Sequence, residues 1–279
     1  MDGNVYPFFV FQNNRPLTEI SMKIFKYFNF SSLSSFATDN RIDSFKNNYL
    51  WFSKPRFFND PFDCNLQVIS HYNDFFNSLS LYSGNTKDLI IENTKEFGIC
   101  CFSKSNDNIH MWSHYADSHK GICVEYDSSN FNDYFSSILK CRCFLQEVDY
   151  RDILINLNGD IEWERLEGFI ETKQIGQIVR DPKLLDRLFE KLLLQKNKEV
   201  WSNENEMRLI LGGLARKNNP DKELESGYKI PIEREIITGI IYGVNAPAQL
   251  KDEIKQIFGS GIRYQNAKLD FENWKLKIE

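Results

Sequence analysis

The stretch FGICCFSKSNDNIHMWSHYADSHKGICVEY, residues 97–126, decides the fold class. Its two ends, residues 97–103 and 121–126, are short apolar runs typical of buried strands. Between them, residues 108–119 have the length and the aromatic spacing of a short helix. The stretch therefore predicts a helix held between two core strands.

Apolar runs outside this stretch predict further strands, over residues 24–28, 49–53, 207–211, 228–232 and 236–242 and near 263–264. Leucines at helical spacing indicate a helical block at about 160–200, and a last helix is predicted over roughly 246–257. Residues 31–48 and Gly212-Gly213 have the composition of turns. Helices and strands do not alternate regularly, which favours the α+β class. We predict one domain over residues 1–279, with a mixed, mostly antiparallel central sheet flanked by helices.

Composition narrows the protein class. With 42% hydrophobic and 26% charged residues, the chain is expected to bury a real core as a soluble globular protein. A net charge of −5 argues against a broadly basic nucleic-acid surface and leaves only local patches such as Lys54 and Arg56 to meet phosphate. No run of about 18 apolar residues occurs, and the first residues lack a signal-peptide pattern. We expect a cytoplasmic protein without a membrane span.

Six cysteines occur without a CxxC pair, so we expect reduced thiols. His110 and His114 are four residues apart, a spacing that suits a metal pair on a helix. The glutamate of the HExxH zinc motif is missing, because Met111, Trp112 and Ser113 lie between the two histidines. No metal is therefore expected.

Three stretches dense in aromatic and polar residues, at residues 51–63, 112–119 and 201–208, are interpreted as one site. In the second, Trp112 and Tyr115 could stack on a ligand beside His114 and His119, or could be core aromatics. In the first, Asn59, Asp60 and Asp63 could bind a cation or ribose hydroxyls, although Asn-Asp-Pro is also a turn and helix cap, the more favoured role for Asp60.

In the third stretch, Glu204 and Glu206 alternate just before an apolar strand, so both are expected to point the same way, with Asn205 opposite. Two carboxylates beside Trp201 can hold a sugar or a developing cation, and Arg208 frames the pair. The alternative is an exposed edge of charge.

Together these residues resemble a bacterial family, the domain of unknown function 2971. The resemblance rests on motifs spread over nearly the whole chain: Lys26-Tyr27, residues 50–55 and 58–63, Cys101-Phe102-Ser103, residues 111–115, Gly121 and Trp201-x-x-Glu204-x-Glu206-x-Arg208. The family description implies no activity. Its similarity to mobile accessory proteins implies a role in bacterial conflict, such as phage defence or toxin action.

A second resemblance, to the ADP-ribosyltransferases, rests on a basic or polar residue on an early strand, the serine-bearing strand at residues 51–53, and Glu-x-Glu before a short strand. It implies a split central sheet and NAD as the substrate, cleaved between nicotinamide and ribose for transfer or hydrolysis. It also implies that Glu206 is catalytic, that Glu204 orients the acceptor and that Ser53 supports Glu206. Lys26 or Tyr27 would hold the dinucleotide, and Tyr115 or Trp112 would stack on nicotinamide.

Two other functions stay open. Asp60, Asp63, Glu204, Glu206 and His114 would suit a metal-dependent nuclease or phosphoesterase. Alternatively, the pocket binds a nucleotide without turnover. The catalytic candidates are thus Glu206, Glu204 and His114, and the candidate ligand contacts are Lys26, Tyr27, Ser53, Asn59, Asp60, Trp112, Tyr115, His119, Trp201 and Arg208. The expected partner is a nucleotide-type small molecule, with a protein or nucleic acid as acceptor, and the sequence leaves the oligomeric state open.

Overall fold

A computed structural model of the chain describes residues 22–30, 40–68, 94, 97–139, 143–153, 189, 191–211 and 223–279. Its strands are β1 (Lys23–Phe28), β2 (Tyr49–Ser53), β3 (Gly98–Ser103), β4 (Ile122–Asp127), β5 (Cys143–Glu147), β6 (Asp149–Arg151), β7 (Gln195–Asn197), β8 (Glu206–Leu211), β9 (Glu223–Leu224), β10 (Gly227–Pro231), β11 (Ile237–Tyr242), β12 (Arg263–Asp270) and β13 (Lys275–Ile278). Its helices are α1 (Asn40–Lys46), α2 (Ile109–Tyr115), α3 (Phe131–Leu139), α4 (Lys198–Trp201) and α5 (Ala248–Phe258).

Eleven of the described strands form one sheet that branches at β3. One edge of β3 pairs with β8 along all six residues, and β8 pairs in turn with β5. The other edge of β3 meets two strands, β1 through Phe25 and Ser103 and β2 through Ser53 and Ile99. Strands β4, β11, β12 and β13 continue from β1, and β10 and β9 continue from β2. Only the β11–β12 pairing in this sheet is parallel.

The two faces of the sheet carry different side chains because successive residues of a strand point to opposite sides. On β8, Met207, Leu209 and Leu211 belong to the main hydrophobic core. Glu206 and Arg208 alternate with them and lie on the other face, although both are buried. The polar site is therefore built on the face of β8 that does not contribute to the main core.

Helix α2 covers that face next to β1. Asn108 caps the helix, because its side-chain oxygen accepts hydrogen bonds from the backbone N–H groups of His110 and Met111. The Trp112 side chain is fully buried and packs edge-to-face on Tyr27, with 5.1 Å between the ring centroids. This packing fixes which side of α2 faces the sheet.

The α+β class and the mostly antiparallel central sheet are confirmed, as are the strands predicted from apolar runs. Two local predictions are wrong. Helix α1 lies within the predicted turn region at 31–48, and β7 lies within the predicted helical block. Residues 160–188 and 190 of that block and Gly212-Gly213 lie outside the described residues. The single domain over 1–279 stays a prediction.

Where the structure describes the chain, its helices are too short or too polar to cross a membrane.

Candidate functional site

A cavity lies beside the end of β3 that pairs with β1, under helix α2. Its volume is about 160 Å³, which is below the roughly 300–1,000 Å³ common for small-molecule pockets. The side chains around it come from β1, β3, the loop after β2, α2, β7 and the start of β8: Phe25, Lys26, Tyr27, Phe58, Asn59, Asp63, Cys101, Phe102, Ser103, Met111, Tyr115, Lys196, Glu204 and Glu206. The three stretches singled out in the sequence do meet at this cavity.

Glu204 and Glu206 both point into the cavity, but not because they alternate on a strand. Glu204 ends a short 3₁₀ turn, and β8 begins only at Glu206. Asn205 between them has φ 47° and ψ 50°, a left-handed conformation that Asn tolerates better than most residues. Both glutamates are buried, so the alternative of an exposed charged edge is wrong.

Arg208 fixes the positions of two buried carboxylates of the site. Its side chain is fully buried. The guanidinium forms two hydrogen bonds with Asp63, at 2.9 and 2.5 Å, and two with Glu206, at 2.9 and 3.2 Å. It also donates to the carbonyl of Leu193 at 2.6 Å. A planar guanidinium suits such two-pronged recognition of carboxylates. Arg208 thus holds Glu206 in place and does not face the cavity opening as a free ligand contact.

Lys196, from β7, is the second buried cation. Its ammonium lies 2.7 Å from Glu204 Oε2 and 3.1 Å from Glu206 Oε2. It also lies 4.5 Å from the centre of the Trp201 ring. The predicted involvement of Trp201 is therefore indirect, through a cation–π contact with Lys196.

The charges of this cluster stabilise one another. Burial alone would raise the pKa of Glu206, but Arg208 and Lys196 outweigh it and lower the pKa to about 2. Burial alone would lower the pKa of Lys196, but Glu206 and Glu204 outweigh it and raise that pKa above its usual value. Glu206 is therefore an anion and Lys196 a cation across the physiological pH range.

Tyr115 connects helix α2 to the carboxylates, because its hydroxyl donates a short hydrogen bond to Glu204 Oε1. Asn59, from the loop after β2, lines the same cavity. Burial, followed by the contact with Glu204, raises the pKa of Tyr115 above its usual value, so the phenol stays protonated. Tyr115 and Asn59 are thus at the cavity, as the sequence predicts.

Lys26 and Tyr27 lie on the β1 side of the cavity. The Lys26 ammonium donates to the carbonyl of Cys101 at 2.7 Å and lies over the ring of Phe102. The Tyr27 hydroxyl donates to the carbonyl of Ser105 at 2.8 Å. Both residues line the cavity, but the Lys26 ammonium lies on the main-core face of the sheet, beside Phe102.

Three predicted residues lie away from the cavity lining. Ser53 pairs with Ile99 at one end of β3, whereas Glu206 pairs with Ser103 at the other end. Four residues of strand separate the two positions by roughly 13 Å, too far for Ser53 to support Glu206 directly. Asp60 accepts a hydrogen bond from the backbone N–H of Phe62, the turn role favoured for it. Trp112 is a core residue, and its indole N–H donates to the carbonyl of Asn106.

The two histidines of the predicted site also lie outside the lining. His114 is exposed on α2, where its ring stacks on that of His110 at 6.4 Å. His119 stacks on Trp112 and lies 3.3 Å from the hydroxyl of Ser113. Burial lowers the pKa of His119, which favours its neutral form. Neither imidazole reaches Glu204 or Glu206.

The sequence analysis missed Lys196, and it named Asp63 as a possible cation or ribose ligand without including it in the final set of candidate contacts. Lys196 follows the apolar residues 192–194 and was covered by a predicted helix. Only a charge-balance argument could have found it, because buried carboxylates require cations nearby.

Metal ligands do not gather at this site. Within the described ranges, no group of three or more His, Cys, Asp or Glu side chains is arranged to hold a metal ion. The carboxylates that could do so already face Lys196 and Arg208. The described cysteines, Cys64, Cys100, Cys101, Cys123 and Cys143, are free thiols.

Comparison with known proteins gives one match. No curated protein and no solved structure matches the chain. Residues 111–209 match the model of a family described as "Protein of unknown function (DUF2971)". That segment contains Tyr115, Lys196, Glu204, Glu206 and Arg208. The resemblance to the domain of unknown function 2971 is therefore confirmed over residues 111–209.

Proposed function

We propose that the cavity binds NAD and that the protein cleaves the bond between nicotinamide and ribose, as ADP-ribosyltransferases and NAD glycohydrolases do. One observation carries this proposal. Two buried carboxylates, Glu204 and Glu206, are fixed on the floor of a cavity whose walls include the rings of Phe25, Tyr27 and Tyr115.

The chemistry needs a fixed negative charge. When the glycosidic bond breaks, its electron pair leaves with the nicotinamide nitrogen, and positive charge develops on the ribose. A carboxylate held in place before the reaction stabilises that charge at no cost of reorganisation. Water or the hydroxyl of an acceptor then attacks C1′ of the ribose and loses its proton to solvent, which completes hydrolysis or transfer.

The hydrogen bonds of the two glutamates indicate different roles for them. Glu206 has its oxygens occupied by three hydrogen bonds from Arg208 and Lys196. Glu204 accepts one bond from Tyr115 and one from Lys196. A carboxylate has about four acceptor positions, so Glu204 keeps room for a ribose hydroxyl. We therefore assign the substrate contact to Glu204 and the anchoring role to Glu206, the reverse of the roles that the resemblance implies.

Ring faces support the same proposal. Tyr115 lies next to Glu204, and Phe58 and Met111 also line the cavity. A nicotinamide ring between such side chains would be stacked and shielded from water. Lys26 has no part in this proposal, because its ammonium lies over the ring of Phe102 on the main-core face of the sheet, opposite to Glu206.

The same pairing of Glu206 favours a second candidate, nucleotide binding without turnover. An anchored carboxylate can serve recognition alone, as in pockets that use a few fixed polar groups. The metal-dependent nuclease is favoured less, because Lys196 and Arg208 already hold the carboxylates that a divalent cation would need.

The test is nicotinamide release from NAD, measured by mass-resolved chromatography with and without cell extract as a source of acceptor. Glu204→Gln should reduce release by about 10²–10³-fold, the range seen when one stabilising group is removed from a transition state. Glu147→Gln is the matched control, since Glu147 is an exposed carboxylate paired with Lys104. It should leave release unchanged.

The results of this assay distinguish the candidate functions. Full release by Glu204→Gln would overturn the role of Glu204. Absence of release from the wild type, together with a melting temperature raised by NAD, would support binding without turnover. Absence of both would overturn the assignment of NAD to this cavity.

A further inference from the structure

We infer that Lys196 is a positioning residue, whose ammonium holds Glu204 and Glu206 side by side as a charged pair and so sets the lower pH limit of the site. This inference rests on the proposed function for its effect on catalysis. Its effect on the carboxylates themselves does not depend on that function.

Three carboxylates and one aromatic ring surround the ammonium of Lys196. Its ammonium lies 2.7 Å from Glu204, 3.1 Å from Glu206 and 3.9 Å from Asp63. The Trp201 ring covers it at 4.5 Å. The side chain is only 5% exposed, so water screens these contacts little.

Glu204 depends on this cation more than Glu206 does. Arg208 bonds to Glu206 and Asp63, whereas the ion pair of Glu204 is with Lys196. Without Lys196, Glu204 would keep only the neutral hydrogen bond from Tyr115. Two buried carboxylates that share a site do not both stay ionised unless a cation separates them. Removal of Lys196 should therefore protonate one of the pair at a higher pH.

Among the described residues, the titratable or charged groups packed against Lys196 come from five parts of the site. Glu206 and Arg208 come from β8, Glu204 from the preceding turn and Asp63 from the loop after β2. Tyr150 of β6 and Tyr115 of α2 interact with it more weakly, and burial is the main cause that raises the pKa of each phenol. Both tyrosines stay neutral while the carboxylates titrate. The acid limit of the site is consequently set by the carboxylates, with Lys196 cationic throughout.

The experiment follows the carboxyl carbons of Glu204 and Glu206 by ¹³C NMR during a pH titration, in the wild type and in Lys196→Met. Signals are assigned with Glu204→Gln and Glu206→Gln. In Lys196→Met, one carboxyl should titrate at least about one pH unit higher, a tenfold change in its proton affinity. Lys104→Met, which removes an exposed lysine paired with Glu147, is the control and should change nothing. Unchanged titration of both carboxyls in folded Lys196→Met would overturn the inference.

A chemical rescue covers the case in which Lys196→Met does not fold. Lys196→Ala leaves a space that fits n-propylammonium, the lost part of the side chain, and n-propanol has nearly the same shape without charge. The ammonium should raise the melting temperature of Lys196→Ala, whereas n-propanol should not. Equal effects of the two compounds, or no effect of either, would overturn the inference that the charge of Lys196 holds the site together.

The pH dependence of nicotinamide release provides a separate test of the role of Lys196. The acid limb of the profile of nicotinamide release against pH should move up in Lys196→Met by the same amount as the carboxyl titration. If the wild type releases no nicotinamide, the proposed function fails, but the NMR titration still decides the role of Lys196.

Discussion

Arg208 and Asp63 form a buried, two-pronged ion pair, in which Nη1 lies 2.9 Å from Oδ1 and Nη2 lies 2.5 Å from Oδ2. The pair joins strand β8 to the loop that follows β2, 145 residues away in the chain. The same guanidinium holds Glu206, whose other cationic partner is Lys196. The stability of the fold and the geometry of the cavity therefore depend on one set of contacts.

Asp63→Ala should destabilise the protein by about 3–5 kcal/mol, because it leaves a buried guanidinium with part of its charge unpaired. The measurement is the free energy of unfolding in urea at pH 7. Asp43→Ala is the control, since the Asp43 carboxylate pairs with Lys229 but is 39% exposed. Its removal should cost no more than about 1 kcal/mol. Equal losses in the two variants would contradict the structural role of the Arg208–Asp63 pair.

Acid should weaken the fold through Glu206. The pKa of this group is about 2 in the folded protein, below its usual value of 4.5. A carboxylate with a lowered pKa stabilises the folded state above its unfolded pKa, and this contribution is lost as the pH falls from about 5 towards 2. Glu206→Gln should flatten the dependence of unfolding free energy on pH in that window. An unchanged slope would show that Glu206 is not the group responsible.

Gly121→Ala should destabilise the turn that follows α2. A Cβ atom at position 121 would lie 2.0 Å from the carbonyl oxygen of Phe28, and a backbone atom cannot move aside cheaply. A cost of about 1–3 kcal/mol is typical of such overpacking. Gly261→Ala is the control, because no heavy atom lies within 4 Å of its added Cβ. Comparable melting temperatures for the two variants would contradict the close approach at Gly121.

Trp112→Ala should cost about 3–5 kcal/mol, as for other large aromatic side chains removed from a core. The fully buried ring packs on Tyr27 and keeps α2 over the cavity. Trp274→Ala removes the same side chain from a position that is 91% exposed. It should change the unfolding free energy by no more than about 0.5 kcal/mol. A small effect at Trp112 would contradict its role in the core.

Five of the thirteen described strands, β5, β6, β7, β9 and β13, were not predicted, whereas the other eight were predictable mainly because a local apolar run marks them. The strand over residues 98–103 and that over 206–211 are examples. Helix α1 was not predictable from the sequence. Its seven residues bury only Ile42, Ser44 and Phe45, and so short an apolar pattern is not recognisable in a region rich in Ser and Asn. β7 has three residues, and its neighbours favour a helix.

The site was predictable in part. The sequence did indicate Glu204 and Glu206, the loop at residues 58–63, and Tyr115. Each of them lies in a stretch rich in aromatic and polar side chains. Lys196 could not be predicted, because nothing in the sequence around a single lysine indicates that it is buried. Its partners, Glu204 and Glu206, lie 8 and 10 residues further along the chain. The placement of His114 and Ser53 away from the glutamates depends on helix orientation and strand register, which tertiary packing decides.

Nicotinamide release from NAD in a single turnover, with protein in excess, is the measurement that tests the central claim most directly. The account predicts one nicotinamide released per active cavity by the wild type and a loss of release in Glu204→Gln, with both proteins folded. The same release from both proteins, or none from the wild type, would contradict it.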